Sequence, residues 1–243
     1  MKDLVKTKQS GIRNANEILQ KVVPFLGIIL MIIVFQVFGE GKLLTKGNIN
    51  SIINQTVYVA IMAFGAIFVY SHGGMDLSYG GVIGFSVLIS IWVANTGVPV
   101  GVVFLSSILA ALAWFLLNGV VSVYLKVSPF ITSLCIMYMC RGILNTACAS
   151  QKYSIPVYLF EYDNLTLKLC LLVGVYVVCY ILFEKTSIGK ANKAIGGNPV
   201  AAQQAGVNVR KTRMIAYIIS GITVGVAAFI LMARAGSVST STG

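Results

Sequence analysis

Long apolar runs separated by short polar punctuation dominate this chain. Seven runs, at about residues 22–38, 49–70, 80–95, 98–125, 128–149, 165–183 and 214–233, are apolar enough to read as membrane-spanning helices. A helix needs about 20 mostly apolar residues to cross a hydrocarbon core of roughly 30 Å. The third and fifth runs fit that template least well. The first is short and begins at Val22 behind a basic amphipathic lead, with no small-residue cleavage site after Phe38. It reads as a retained helix rather than a removed leader. The pattern predicts an all-α fold, a polytopic transmembrane helix bundle of about seven spans over residues 22–243, behind a polar cytoplasmic lead at 1–21.

Composition strengthens that reading. Apolar residues make up 57% of the chain and charged residues 10%, and mean hydropathy is +0.87, outside the range of soluble domains. Net charge is +11, which in a soluble protein would point toward nucleic acid, but its placement argues otherwise. Lys2, Lys6, Lys8, Arg13 and Lys21 precede the first span, while Lys185, Lys190, Lys193, Arg210, Lys211 and Arg213 share the 184–213 loop with one acid, Glu184. An even number of spans separates the two clusters, so the positive-inside rule places both in the cytoplasm. Lys126 falls on the same side by this count, and the 150–164 loop, with Lys152, Glu161 and Asp163, falls outside. The basic balance is a topology signal whose electrostatic partner is the anionic face of the lipid bilayer, and no nucleic acid is expected. Cys135, Cys140, Cys148, Cys170 and Cys179 all sit in apolar runs without C-x-x-C spacing, as small buried side chains do.

Three polar features carry candidate chemistry. The 184–213 loop contains SIGKANKAIGGNPVAAQQAG, Ser187–Gly206, in which Asn198-Pro199 is an N-cap and first-turn pair. Val200 to Ala205 continue a short helix and Gly206 stops it. A short helix of small residues presented to the cytoplasm is a docking element. Next, Ser71–Gly81, SHGGMDLSYGG, brackets Asp76 with glycine pairs, and Asp76 is the only acid between Glu40 and Glu161. Two readings stay open there. One is a turn whose Asp76 caps the next helix or takes an ion-pair partner; the other is a broken segment lining a translocation route or its gate. Finally, Asn54, Gln55 and Thr56 near the outer end of the second span, Asn118 in the fourth and Thr132 in the fifth can bridge helices or line a path. Arg141 either faces the protein interior or snorkels to the outer interface. His72 is the only histidine, with no second imidazole to share a metal.

Absent motifs narrow the function further. There is no G-x-x-x-x-G-K-[ST], because Gly189-Lys190 lacks both the earlier glycine and the following hydroxyl, so the chain has no phosphate-cradling loop of that kind. G-x-G-x-x-G, G-x-S-x-G and H-E-x-x-H are also missing. No inverted repeat stands out. Nothing assembles a catalytic constellation, and the chain is not expected to be an enzyme.

The motifs that are present resemble those of the permease subunit of bacterial ABC importers of the ribose, xylose and galactose type. Gly73–Gly80, GGMDLSYG, is similar to the family's GG-[IV]-D-L-S-x-G. Leu117-Asn118-Gly119 with Ser128–Gly142, SPFITSLCIMYMCRG, resembles its N-G and [ST]-P-F-I-x-T-L segment, with Ser133 and Leu134 in the threonine and leucine places. Gly189, Ala194, Gly196, Gly197, Asn198, Ala201, Ala202 and Gly206 match G-x-x-x-x-A-x-G-G-N-x-x-A-A-x-x-x-G. Ser220-Gly221 and Ala233–Ser237 look like its S-G helix and A-R-x-G-S exit. The matches run in family order from about residue 49 to 240.

The resemblance implies a membrane subunit that pairs with a second permease, as a homo- or heterodimer, above cytoplasmic ABC ATPases. An extracytoplasmic binding protein would deliver a simple sugar. ATP and Mg would be bound by the ATPase, with no cofactor in this chain. Gly189, Ala194, Gly196, Gly197, Asn198, Pro199, Ala201, Ala202 and Gly206 would couple to the ATPase, and Asn54, Gln55, Asp76, Asn118 and Thr132 would line the path or gate. The location implied is the bacterial inner membrane, with the N-terminus cytoplasmic. Family members continue through further membrane helices past the point matching Gly243, so the chain is expected to lack those C-terminal helices. The competing reading is an ATP-independent channel or secondary carrier for small polar solutes. It accounts for the spans but not for the helix-forming insert after the sixth.

Overall fold

Each of the seven apolar runs is helical in the computed structural model, which describes residues 22, 23, 25–150, 153–238 and 242. The lead at 1–21 and Lys152 lie outside the described residues. The apolar helices are α1 (Phe25–Phe38), α2 (Lys46–Ser71), α3 (Tyr79–Ala94), α4 (Val100–Val123), α5 (Pro129–Ser150), α6 (Leu165–Tyr180) and, after an insert described below, α9 (Val209–Ala235). Five helical stretches, namely α2, α4, α5 over Pro129–Ala149, α6 with its continuation to Lys185, and α9, are long and apolar enough to cross a membrane. α1 and α3 are shorter; the 16 residues of α3 cover about 24 Å of helix axis. The fold is an all-α polytopic bundle.

By its contacts the chain divides after Asn54 into two compact units. In the first, the turn after α1 is closed by the Gln36 amide, whose Nε2 donates to Gly41 O and whose Oε1 accepts from Leu44 N, both at 3.2 Å.

The second unit is built around α9. This helix starts where the Asn208 side chain accepts from Lys211 N at 3.0 Å and stops at Gly236, whose φ is +69°. Its most apolar window is 67% buried, against 11% for Leu165–Lys185, so α9 is the axis of the unit and α6 its exposed flank. Small residues make that close packing possible. Gly221 and Gly225 form a G-x-x-x-G stripe against α4, where a Cβ at Gly221 would come within 2.9 Å of Leu112 Cα and one at Gly225 within 2.9 Å of Ile108 N. Ser220 Oγ donates to Gly65 O of α2 at 2.9 Å and accepts from Tyr79 Oη of α3 at 3.1 Å, so one hydroxyl ties three helices. Leu105, Leu109, Val173 and Val177 are among the exposed apolar side chains, as helices facing hydrocarbon require.

At the opposite end from the insert, β1 (Tyr153–Ser154) pairs antiparallel with β2 (Ser237–Val238), joining the loop after α5 to the exit of α9. Strands of two residues leave no periodic trace in the sequence. Beside them a 3₁₀ turn, Val157–Tyr162, leads to α6. Asn164 caps α6 by accepting from Thr166 N at 3.0 Å, and the buried Lys168 ammonium is paired with Asp163.

Candidate functional site

The insert between α6 and α9 holds two helices where the sequence pattern announces one. α6 ends in a π turn, Ile181–Lys185, and α7 (Ser187–Gly197) and α8 (Pro199–Gln204) follow. α8 forms as its residues dictate. Asn198 Oδ1 accepts from Val200 N at 3.0 Å and Ala201 N at 3.1 Å, and Pro199 occupies the first turn, where a missing N–H costs nothing. Val207 N donates to Ala202 O at 3.0 Å, closing the helix over Gly206 at φ +87°.

α7 depends on what it touches. Its buried positions, Gly189, Asn192 and Ile195, recur at helical spacing. A Cβ at Gly189 would stand 2.6 Å from Phe183 Cα, and one at Gly196 would overlap the carbonyl oxygen of Ser71, at the end of α2. The other side is open: a Cβ at Gly197 would meet nothing within 4 Å, Val200 is 63% exposed, and Ala194 and Ala201 are exposed while Ala202 is buried. The insert thus has an inner face against the spans and an outer face of small residues. Lys193 spans Glu184 and the Phe183 ring, donating to Glu184 Oε1 at 2.7 Å with its Nζ 4.7 Å from the ring centroid.

The turn after α2 lies under α7 and is organised by Asp76, which is fully buried. Asp76 Oδ1 accepts from Ser78 N at 2.7 Å and from Ser78 Oγ at 2.6 Å, and its Oδ2 accepts from Asn118 Nδ2 of α4 at 2.7 Å. Asn118 Oδ1 in turn accepts from Ser122 Oγ at 3.1 Å. The backbone on either side is held too: Tyr70 Oη donates to Asp76 O at 2.7 Å, and Leu77 N donates to Ser133 Oγ of α5 at 3.1 Å. One short turn therefore binds α2, α3, α4 and α5. Burial raises the Asp76 pKa, and the hydrogen bonds from Ser78 and Asn118 oppose that rise. His72 opens the turn, also buried. Burial, and then the Arg213 charge, lowers its pKa from 6.5 to about 4, so the imidazole is neutral at pH 7.

Comparison with known proteins supplies the class of this arrangement. A family model described as "Branched-chain amino acid transport system / permease component" matches residues 48–243, which take in the turn, the insert and α9. The chain belongs to this family. It is similar to the ribose import permease protein of Bacillus subtilis, 28% identical over 98% of this chain and 76% of that one. It is also similar to the galactofuranose transporter permease protein of Escherichia coli, at 31% over 81% and 59% of the two chains. The xylose transport system permease protein of Haemophilus influenzae is 26% identical over 93% and 78%. No solved structure matches. The chain is a permease component, a multi-pass translocation subunit and not an enzyme.

In this permease the residues singled out from sequence fall into separate groups. Asp76 and Asn118 are brought together. Thr132 is buried, donating to Ser128 O at 3.2 Å at the head of its own helix. Asn54 Nδ2 donates to Asn50 O at 2.8 Å within α2, and Gln55 is exposed. Among the described residues Asp76 makes no ion pair, and the N-cap of α3 is Ser78, so Asp76 holds the turn through Ser78 and Asn118 rather than capping the next helix itself. Arg141 is exposed on α5. Sequence reasoning passed over Tyr70, whose role rests on a tertiary contact, and Asn192, whose buried place on α7 follows from a helix the sequence does not announce.

Proposed function

We propose that the permease is the translocation subunit of an ATP-driven importer of a simple sugar, with α7 and α8 as its ATPase-coupling element. The contact of Gly196 with the Ser71 carbonyl carries this reading. Through it, a push on the outer face of the insert reaches the end of α2 and the Asp76 turn, and from there α4 and α5. The sugar class follows from the ribose, galactofuranose and xylose relatives. The family model's own description supports branched-chain amino acids as a second reading of the cargo.

On this view residues 22–243 form the transmembrane domain and 184–213 its coupling loop. Ala194, Gly197, Asn198, Pro199, Ala201 and Gly206 meet the ATPase, while Gly189, Gly196 and Ala202 shape and seat the insert. Asp76 and Asn118 act as the transmission joint beside the path, and Asn54, Gln55 and Thr132 remain candidates for its lining. The partners are a second permease subunit, a cytoplasmic ATPase that holds ATP and Mg, and an external binding protein. The permease carries no cofactor and sits in the inner membrane with its N-terminus cytoplasmic. The test is ATP-dependent sugar uptake by the assembled transporter in proteoliposomes, with Gly197→Trp or Ala201→Trp. Both variants are expected to insert and melt normally, lose the co-purifying ATPase and stop uptake. Normal co-purification and uptake in both would refute the docking assignment.

A further inference from the structure

We propose that a cation-lined cavity beside the insert binds the phosphate group of an anionic ligand. The cavity, of about 930 Å³, lies where α4 ends and where α5 and α9 begin, with the end of α8 as its remaining wall. Lys126, Arg210 and Arg213 line it together with Ser122, Gln203 and Asn208, and no acid is among the lining residues.

Elsewhere in the described residues the acids are committed or distant in the chain. Glu184 holds Lys193, Glu40 holds Lys42 and Asp163 holds Lys168. Asp76 is buried with its oxygens on Ser78 and Asn118, and Glu161 belongs to the 3₁₀ turn before α6. Among the described residues, then, Lys126, Arg210 and Arg213 take part in no ion pair, and the buried Nε of Arg213 has no hydrogen-bond partner. Lys126 is moreover held at φ +59°, a left-handed backbone conformation uncommon outside glycine, which tends to persist where the surroundings impose it. Three cations around one polar cavity, two of them guanidinium forks, suit a phosphate, whose several oxygens accept from more than one donor at once. The site stands at the ends of three helices long and apolar enough to cross a membrane, and basic pockets between such helices take anionic lipid headgroups. A phospholipid headgroup and a soluble phosphate ester offer the same chemistry, and the experiment separates them.

The purified, delipidated permease in neutral detergent is probed by native mass spectrometry and thermal shift. The probes are phosphatidylglycerol, phosphatidylcholine, inorganic phosphate and glycerol 3-phosphate. Retention of phosphatidylglycerol over phosphatidylcholine is expected, weakened about fivefold for each cation removed in Lys126→Gln, Arg210→Gln and Arg213→Gln. Arg210→Lys, which keeps the charge but not the fork, is expected to fall between the parent and Arg210→Gln, which shows that charge rather than misfolding is read. If inorganic phosphate or glycerol 3-phosphate stabilises the protein and displaces the lipid, the natural ligand is the soluble ester. Unchanged phosphatidylglycerol retention in all three Gln variants, with no stabilisation by either soluble phosphate, overturns the proposal. So does a loss confined to ATPase co-purification, which would assign the cations to a protein partner. Lipid binding is measured without the ATPase, so its failure leaves the coupling reading untouched, and the converse holds.

Discussion

A carboxylate at position 76 accepts three hydrogen bonds through two oxygens, and an amide offers one acceptor oxygen in their place. In Asp76→Asn, the amide oxygen can still serve the Ser78 pair, but its NH₂ group then meets the Asn118 amide, which must turn over to accept from it and so gives up its hydrogen bond from Ser122 Oγ. A buried polar group left unsatisfied costs about 1–3 kcal/mol. Asp76→Asn is therefore expected to lower the melting temperature, and Asp76→Asn with Asn118→Asp, which restores a donor–acceptor pair, to recover part of the loss. A melting temperature unmoved by the single change would show that the joint is not held this way. His72 sets a pH dependence of known sign. Its folded pKa of about 4 lies below 6.5, so its contribution is complete above 6.5 and is lost as pH falls through that interval toward 4, a span of at most ~3 kcal/mol. The raised pKa of Asp76 acts with the opposite sign, its contribution being present at low pH and lost as pH rises through the folded value. The His72 share is read as the difference between the parent and His72→Gln: the parent should lose more stability between pH 7 and 5. Parallel pH profiles for the two proteins would remove the buried neutral imidazole as a cause.

At the scale of elements, α8 was legible in advance because everything that makes it is local. Asn198 caps, Pro199 starts and Gly206 ends a six-residue helix. α7 was not legible. Gly189, Gly196 and Gly197 weaken its intrinsic helix propensity, and its glycines serve contacts with Phe183 and Ser71 that are made only in the folded chain. The same reason hid the partners of Asp76: the turn could be read from Gly73 to Ser78, but Asn118 lies 42 residues away. Two adjacent glycines separate the structural role of α7 from its docking role. Gly196→Leu forces a side chain into the Ser71 carbonyl and is expected to destabilise the permease by about 1–3 kcal/mol. Gly197→Leu, with open space around it, is expected to leave the melting temperature unchanged while weakening ATPase co-purification. If both variants melted alike, the two-faced description of the insert would be wrong.

For the molecule as a whole, all seven apolar runs became helices, because hydrocarbon requires backbone groups to be satisfied within the segment. Their sides of the membrane rest on charge placement, which the bundle alone does not orient. The stretch Leu165–Lys185 is the decisive one, since it is long and apolar enough to cross and it separates the 3₁₀ turn from the insert. Val157 and Val200 report on its two ends, being 83% and 63% exposed. After the five native cysteines are replaced, Val157→Cys and Val200→Cys are each offered a membrane-impermeant thiol reagent in spheroplasts. Under the proposed orientation, in which the six cations around the insert hold it on the cytoplasmic side, cysteine substituted for Val157 should label at once and cysteine substituted for Val200 only after permeabilisation. Labelling of both from outside would mean that Leu165–Lys185 does not span. The reverse pattern would turn the permease over, exposing α7 and α8 to the side that has no ATP, and the coupling reading would fall with it.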